Sequence, residues 1–454
     1  IVAADEGVMP QTVEHLGILS LLEIQHGIIV LTKTDMVDED WRELVAEDIR
    51  SQVKGTFLED APLIPVSSYT GEGIEELRQE IFCQISLLGG KKLDIPFRIP
   101  VDRVFSMEGF GTVVTGTMIE GQLKEGDEVM LYPGEKMGKV RNIQVHSQSV
   151  DTAYAGQRVA VNFSNLKKSD IQRGDVVAVP GSMHTTMMVD VRLNVLKDAK
   201  RVIKNTSRLH FYHGSREVLC KAVLLEGDVL EAGQSAFAQL RLEEEVALKA
   251  GDHFVVRFYS PLETVGGGVV LDPSPFKRRR GDEQALEGLR VLEKGSLKDK
   301  IEQGIREGSP HYRLLDFVAV QFGASLEEAR ALAGELEQEG KIVRIAGDLY
   351  LHRDFAEAQG KRLSEILREY HTANPLKEGM KKEEVRTRFL PRQEQAVADG
   401  MLAYYEKVER IKIVNGLVSL FKFKVKLDEE ASRMMKEMEK IYLDGGYAPP
   451  ATED

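Results

Sequence analysis

The apolar positions of the chain change period twice. Over residues 1–90, compact apolar runs alternate with stretches of helical spacing. A strand ends near Ala4, and residues 11–23 carry Val13, Leu16, Leu19 and Leu22 on one helical face. Residues 27–31 and 61–66 read as further strands, and 40–54 and 74–88 as helices. Strand–helix alternation predicts a parallel α/β sheet, whose ligands sit at the loops beyond the carboxyl ends of the strands. Two such loops follow, Thr32-Lys33-Thr34-Asp35 and the SSYTGEG turn at Ser67 and Ser68.

From residue 96 to 273 the period falls to two. Short β-branched runs such as GTVVTGT (111–117), DEVMLY (127–132) and GQRVAVNF (156–163) are separated by Gly- and Asp-containing turns. A second set runs from MMVDVRLNVL (187–196) to GGGVVLDP (266–273). This spacing predicts two closed β-barrels in tandem. From 276 onward the helical period returns, in two units that each read as three helices followed by a Gly-turned hairpin (Gly347; Asn415-Gly416). That order predicts winged helices, here spacers more than nucleic-acid readers, because SLEEARALAGELEQEG is acidic. The fold expected is therefore multi-domain: a partial α/β domain over 1–92, barrels over 93–182 and 183–275, and winged helices over 276–355 and 356–427. A third winged helix is expected to begin over 428–454.

Charge narrows the partners. Residues 1–95 hold 7 Lys+Arg against 18 Asp+Glu, so nucleic acid is not expected on that segment. The later run Lys277-Arg278-Arg279-Arg280 is either an RNA-binding patch or a solvated linker. No apolar run is long enough to span a membrane, and Cys83 and Cys220 form no metal pattern, which suits a reduced, cytoplasmic setting.

TKTD at a strand end fits a guanine reader. Asp35 can accept from both N–H donors on the pairing edge of guanine, and a wrong base would leave that carboxylate unpaired. Thr32 leads the loop, the Lys33 stem would cover the base, and Ser67 and Ser68 are placed to offer backbone N–H groups to its carbonyl. No GxxxxGK[ST] occurs, so this sequence by itself is expected to bind guanine nucleotide poorly and not to hydrolyse it. In the first barrel, Asp102-Arg103 at a strand start and Arg158 in a later strand could form an anion pocket. A surface ion pair of little consequence is the plainer alternative.

Together IVAADEGVMPQTVEH, LTKTDMVD, PVSSYTGEGIEEL, DRVFSMEGFGTVVTGT, YAGQRVAVN and GGGVVLDP resemble the selenocysteine-specific elongation factors, the bacterial SelB family. The resemblance covers essentially the whole chain. It implies a Tu-like GTPase using GTP and Mg²⁺, acting as a monomer in the cytoplasm. It implies delivery of selenocysteinyl-tRNA to the ribosome at recoded UGA codons, with an mRNA hairpin bound by later winged helices. It gives Asp102, Arg103 and Arg158 the role of recognising the selenocysteinyl group. Thr32, where translational GTPases usually have Asn, matches the bacterial members; Val13 stands where related sequences usually have Arg. It further implies that the phosphate loop, first switch and DxPGH segment would precede Ile1 and that the last winged helices would follow Asp454. The chain is then expected to be truncated at both ends, with no catalytic residue of its own. Alternatives are another Tu-like GTPase, such as a tRNA-delivering initiation factor subunit or a sulfate-activating subunit, or a non-catalytic RNA-binding module.

Overall fold

A computed structural model describes residues 1–107, 111–425 and 429–444. Strands Val2–Ala3, Ile29–Thr32 and Leu63–Pro65 form a three-stranded sheet, parallel throughout. Helices Pro10–Leu21, Glu39–Val53 and Ile74–Leu87 alternate with them. Val45, Ile49 and Val53 repeat at helical spacing and bury against Val2, Ile29 and Leu31. Asp38 caps the second helix, accepting from the Trp41 amide at 2.9 Å.

The first barrel runs from Arg98–Met107 to Val176–Ala178. It closes because Arg158–Phe163 pairs with Gly111–Thr117 on one side and Lys136–Val145 on the other. Its interior holds Ile99, Val101, Val114, Ile143, Val159 and Val161. The second barrel is closed in the order His184–Val195, Ser235–Leu248, Arg216–Leu224, Ser207–His213, His253–Phe258 and Thr264–Asp272. A buried ion cluster joins the barrels: Arg98 meets Asp252 and Glu120, and Lys249 also reaches Glu120 at 2.7 Å. The first domain touches the second barrel through Glu14, which accepts from Thr264 Oγ1 at 2.7 Å and from Arg257 Nη2 at 3.2 Å.

Two residues of the KRRR run pair with the second barrel. Arg278 Nε donates to the fully buried Asp190 at 2.7 Å, and Arg280 Nη2 to Asp228 at 2.5 Å. Lys277 and Arg279 remain exposed. Arg278 is thus anchored to the second barrel, while the other three residues of the run stay at the surface.

A second compact unit comprises residues 301–318 and 326–454. The hairpin Ile342–Ala346/Leu349–His352 turns at Gly347, and Ile411–Val414/Leu417–Leu420 turns at Asn415-Gly416. Leu349, Leu351, Leu363, Phe389, Tyr405 and Val418 share one core, so the two winged units pack as a single body. Residues 276–352, where three helices were expected before the hairpin, hold four: Glu283–Lys294, Leu297–Gly308, Leu315–Gln321 and Leu326–Gln338. Pro310 and the left-handed Tyr312 (φ 53°) separate the first two of these from the last two. The expected third unit is described only as the helix Glu429–Asp444; residues 445–454 lie outside the described residues.

Candidate functional site: a base loop and a guanidinium pocket

The base loop leaves the Ile29–Thr32 strand and turns at Lys33, whose backbone is left-handed (φ 57°). Thr32 is half-buried, with its hydroxyl on the Val2 carbonyl at 3.4 Å. The Lys33 ammonium bonds Asp5 at 2.9 Å and Glu6 at 3.3 Å, tying this loop to the one after the first strand. These carboxylates raise the ammonium above its ordinary pKa.

Asp35 is exposed, and its Oδ1 accepts from the buried Ser67 hydroxyl at 2.5 Å. The same Ser67 oxygen accepts from the amides of Tyr69 and Thr70, so the serine pins the second loop beneath the carboxylate. The Ser67 amide is spent on the Glu72 carbonyl at 3.0 Å. The exposed Ser68 keeps an amide with no partner among the described residues. Of the two serines, Ser68 is therefore the one with a backbone donor left to offer. Arg42 donates to the Thr34 carbonyl through Nε at 2.9 Å and bonds Glu72, linking both loops from behind. Gly73 is required here: a Cβ would lie 2.0 Å from the Pro65 carbonyl oxygen. The arrangement suits the pairing edge of a guanine. The described residues offer it a carboxylate, while no phosphate cradle of the GxxxxGK[ST] kind occurs in the sequence.

The Asp102 cluster on the first barrel rests on a β-bulge. Val101 opposes Gly116 and Arg103 opposes Thr115, leaving Asp102 as the extra residue. Val101 and Val104 both turn toward the core, so Asp102 and Arg103 are both left on the outside. The backbone before the bulge is held from two sides: the Val101 carbonyl accepts from Ser215 Oγ at 2.6 Å and from the Gly174 amide at 2.8 Å. Gly116 admits the close approach, since a Cβ there would lie 2.2 Å from the Pro100 carbonyl oxygen.

Arg158 and Asp102 meet in an ion pair on the outer face of the barrel. Arg158 Nη1 donates to Asp102 Oδ2 at 2.5 Å and Nη2 to Oδ1 at 3.1 Å, while Thr115 Oγ1 donates to Oδ1 at 2.7 Å. Partial burial would push the Asp102 carboxyl up, but the bonds from Arg158 and Thr115, with the charge of Arg103, hold it below the usual carboxylate range. The Arg103 side chain is exposed and makes no hydrogen bond or close ion pair among the described residues, though its charge acts on Asp102. Sequence reasoning missed Thr115, though a signal existed. VDRV spaces its apolar residues by three where a strand needs two, which marks a bulge.

It also missed a basic cleft of about 610 Å³ on the second barrel, lined by Lys200, Arg201, Lys204, Arg208, Phe258 and Tyr259. The Arg201 guanidinium lies 3.9 Å above the Phe258 ring, and that of Arg208 5.0 Å from Tyr259. The four basic residues fall within residues 200–208, a local signal that was available, and Phe258 and Tyr259 join them from a distant strand end.

Four family descriptions match along the chain. They are "Elongation factor Tu GTP binding domain" over 1–86, "Elongation factor Tu domain 2" over 111–178, "Selenocysteine-specific elongation factor, beta-barrel domain" over 190–277, and "Elongation factor SelB, winged helix" over 364–420. The selenocysteine-specific elongation factor of Desulfomicrobium baculatum is 35% identical over 468 residues, covering 100% of this chain and 72% of that protein. The chain belongs to the selenocysteine-specific elongation factor family. The Escherichia coli (strain K12) member is 27% identical over 462 residues, 98% of this chain and 69% of its own length. A crystal structure of a bacterial selenocysteine-specific elongation factor superposes with a TM-score of 0.74 at 25% identity, over 97% of this chain and 69% of that one. The α/β domain of this SelB-type factor is accordingly that of a translational GTPase, followed by two barrels and winged helices. No described helix is long and apolar enough to cross a membrane.

Proposed function

We propose that the intact protein is a GTPase that carries selenocysteinyl-tRNA to the ribosome at recoded UGA codons. In this reading Asp35 accepts from the guanine edge, the Ser68 amide meets the guanine carbonyl, Ser67 and Thr32 hold the two loops, and Lys33 covers the base. GTP, with Mg²⁺, supplies the hydrolysable phosphate that times release; these residues bind and orient its base. An mRNA hairpin is a further partner of the protein. The protein acts as a cytoplasmic monomer, with domain limits at 92, 182, 275, 355 and 427.

The observation that carries the reading is the cluster of Asp102, Arg103, Arg158 and Thr115 on the outer face of the first barrel. A selenol is acidic enough to be anionic at neutral pH, whereas a serine hydroxyl is neutral. Guanidinium groups stay charged and offer directed donors, so the cluster can separate the two by charge. The cleft of Lys200, Arg201, Lys204 and Arg208 supports a nucleic-acid partner, since a cationic groove with aromatic rings suits an RNA backbone. The test is Arg158→Ala in the full-length protein, assayed with one tRNA carrying selenocysteine or serine. Loss of the preference for the selenocysteinyl form is expected. An unchanged preference would remove Arg158 from the pocket.

A further inference from the structure

The charges of the pocket do not balance. Arg103 and Arg158 supply two cations and Asp102 one anion, so the cluster has place for one more negative charge. Where that charge is wanted depends on where Asp102 points. It lies across the end of the Arg158 fork, with both of its oxygens taken up there, and the Thr115 hydroxyl is the other group that holds it (2.7 Å). Thr115 is the residue opposite the bulge, paired with Arg103 on one side and with Ala160 on the other. Arg158 and Ala160 alternate with the buried Val159 and Val161, so Ala160 shares the outer face with Arg158 and adds little bulk beside the carboxylate.

We infer that Thr115 is a positioning residue for selectivity: its hydroxyl fixes the Asp102 carboxylate on Arg158 as a resident anion, which leaves Arg103 as the charge that an incoming aminoacyl group must satisfy. This rests on the pocket reading above and adds its regulation. With Asp102 in place, a neutral hydroxyl would have to displace a carboxylate from Arg158 or leave Arg103 unanswered, and gains nothing from either. A selenolate completes the charge balance at Arg103. With Asp102 free to turn, its carboxylate would be able to leave the Arg158 fork for Arg103, whose charge already acts on it, and the cluster would answer Arg103 itself and lose its preference for an anionic group.

Thr115→Val tests this, because valine keeps the β-branched shape of a strand residue and removes only the hydroxyl. In the full-length protein, one tRNA body is charged with selenocysteine, cysteine or serine. The valine variant should bind the seryl form as the parent does and lose about tenfold of the selenocysteinyl-over-seryl ratio, the loss of one hydrogen bond to a charged group. Thr115→Ser should restore the ratio. The cysteinyl form adds a pH readout, since its thiol ionises near pH ~8.5. Its affinity should rise between pH ~7 and ~9.5 in the parent, and less steeply in the valine variant. Should the valine variant misfold, Thr115→Ala is read in the same assay. A variant that keeps both the parental ratio and the parental pH response overturns the role of Thr115. A parent protein that does not separate the selenocysteinyl from the seryl form overturns the pocket reading itself, which is a different failure.

Discussion

Arg98 of the first barrel grips Asp252 of the second in a two-pronged fork, Nη1 to Oδ2 at 2.8 Å and Nη2 to Oδ1 at 2.6 Å, with both side chains almost wholly buried. A buried ion pair is weak evidence of net stability, but breaking one leaves an uncompensated charge out of water. Arg98→Met should therefore cost about 3 to 5 kcal/mol, read as a lower midpoint in chemical or thermal unfolding. Replacing both partners, as Arg98→Met with Asp252→Leu, should recover most of that loss. A single variant as stable as the parent would mean that the fork does not hold the barrels together.

The same aspartate predicts an acid response. Burial alone would raise the Asp252 carboxyl, but the nearby His213 and Arg98 charges and its hydrogen bonds outweigh it and hold the group at about 2. An unfolded aspartate titrates near ~3.9. The folded value is depressed, so the stabilisation is complete above pH ~4 and is lost as the pH falls toward ~2. Unfolding free energies measured from pH ~6 down to ~2 should fall more steeply in the parent than in Asp252→Asn, which has no charge to titrate. Parallel curves would refute the assignment.

Much of this architecture was legible because it is periodic. The helix over 74–88 and the strand over 27–31 follow from apolar spacing, and they appear as Ile74–Leu87 and Ile29–Thr32. Asp35 could be chosen because its loop follows an apolar strand. What the chain concealed is tertiary pairing. Nothing near Arg278 in sequence announces that it is held by Asp190, 88 positions earlier. Thr115 lies in a run that reads as plain strand, and only the bulge opposite brings its hydroxyl to Asp102. The Ser67 amide was a plausible ligand donor until the turn spent it on Glu72.

Asp35 offers a direct test of base reading. Its Oδ1 already accepts from Ser67, yet a carboxylate oxygen has two lone pairs, and Oδ2 has no partner among the described residues. Asp35→Asn replaces one acceptor by a donor and opposes a guanine N–H with another N–H. GTP affinity of the full-length protein should fall by about 100-fold, because one hydrogen bond to a charged group is lost and the other becomes a weaker bond to a neutral amide. Xanthosine nucleotides, which carry a carbonyl at that edge, should be preferred. Isothermal titration with both nucleotides decides the matter, and equal GTP affinity in the variant would remove Asp35 from the base site.

Arg201→Ala offers a test that separates RNA-backbone binding from aminoacyl recognition. Its guanidinium packs on the Phe258 ring at 3.9 Å, and its Nη1 donates to the Ser260 carbonyl at 3.3 Å. The side chain is thus held in place while its charge remains at the surface. A cation that meets a phosphate releases a counterion, which makes its contribution visible as a salt dependence. Arg201→Ala should weaken binding of every aminoacyl form of the tRNA alike and reduce the slope of log affinity against log salt by about 1. The selenocysteinyl-over-seryl ratio should not move, because Arg201 lies on the second barrel and the guanidinium pocket on the first. Arg158→Ala should do the reverse, changing the ratio and leaving the salt slope nearly intact. An Arg201→Ala protein with the parental slope would mean that the cleft does not meet the RNA backbone.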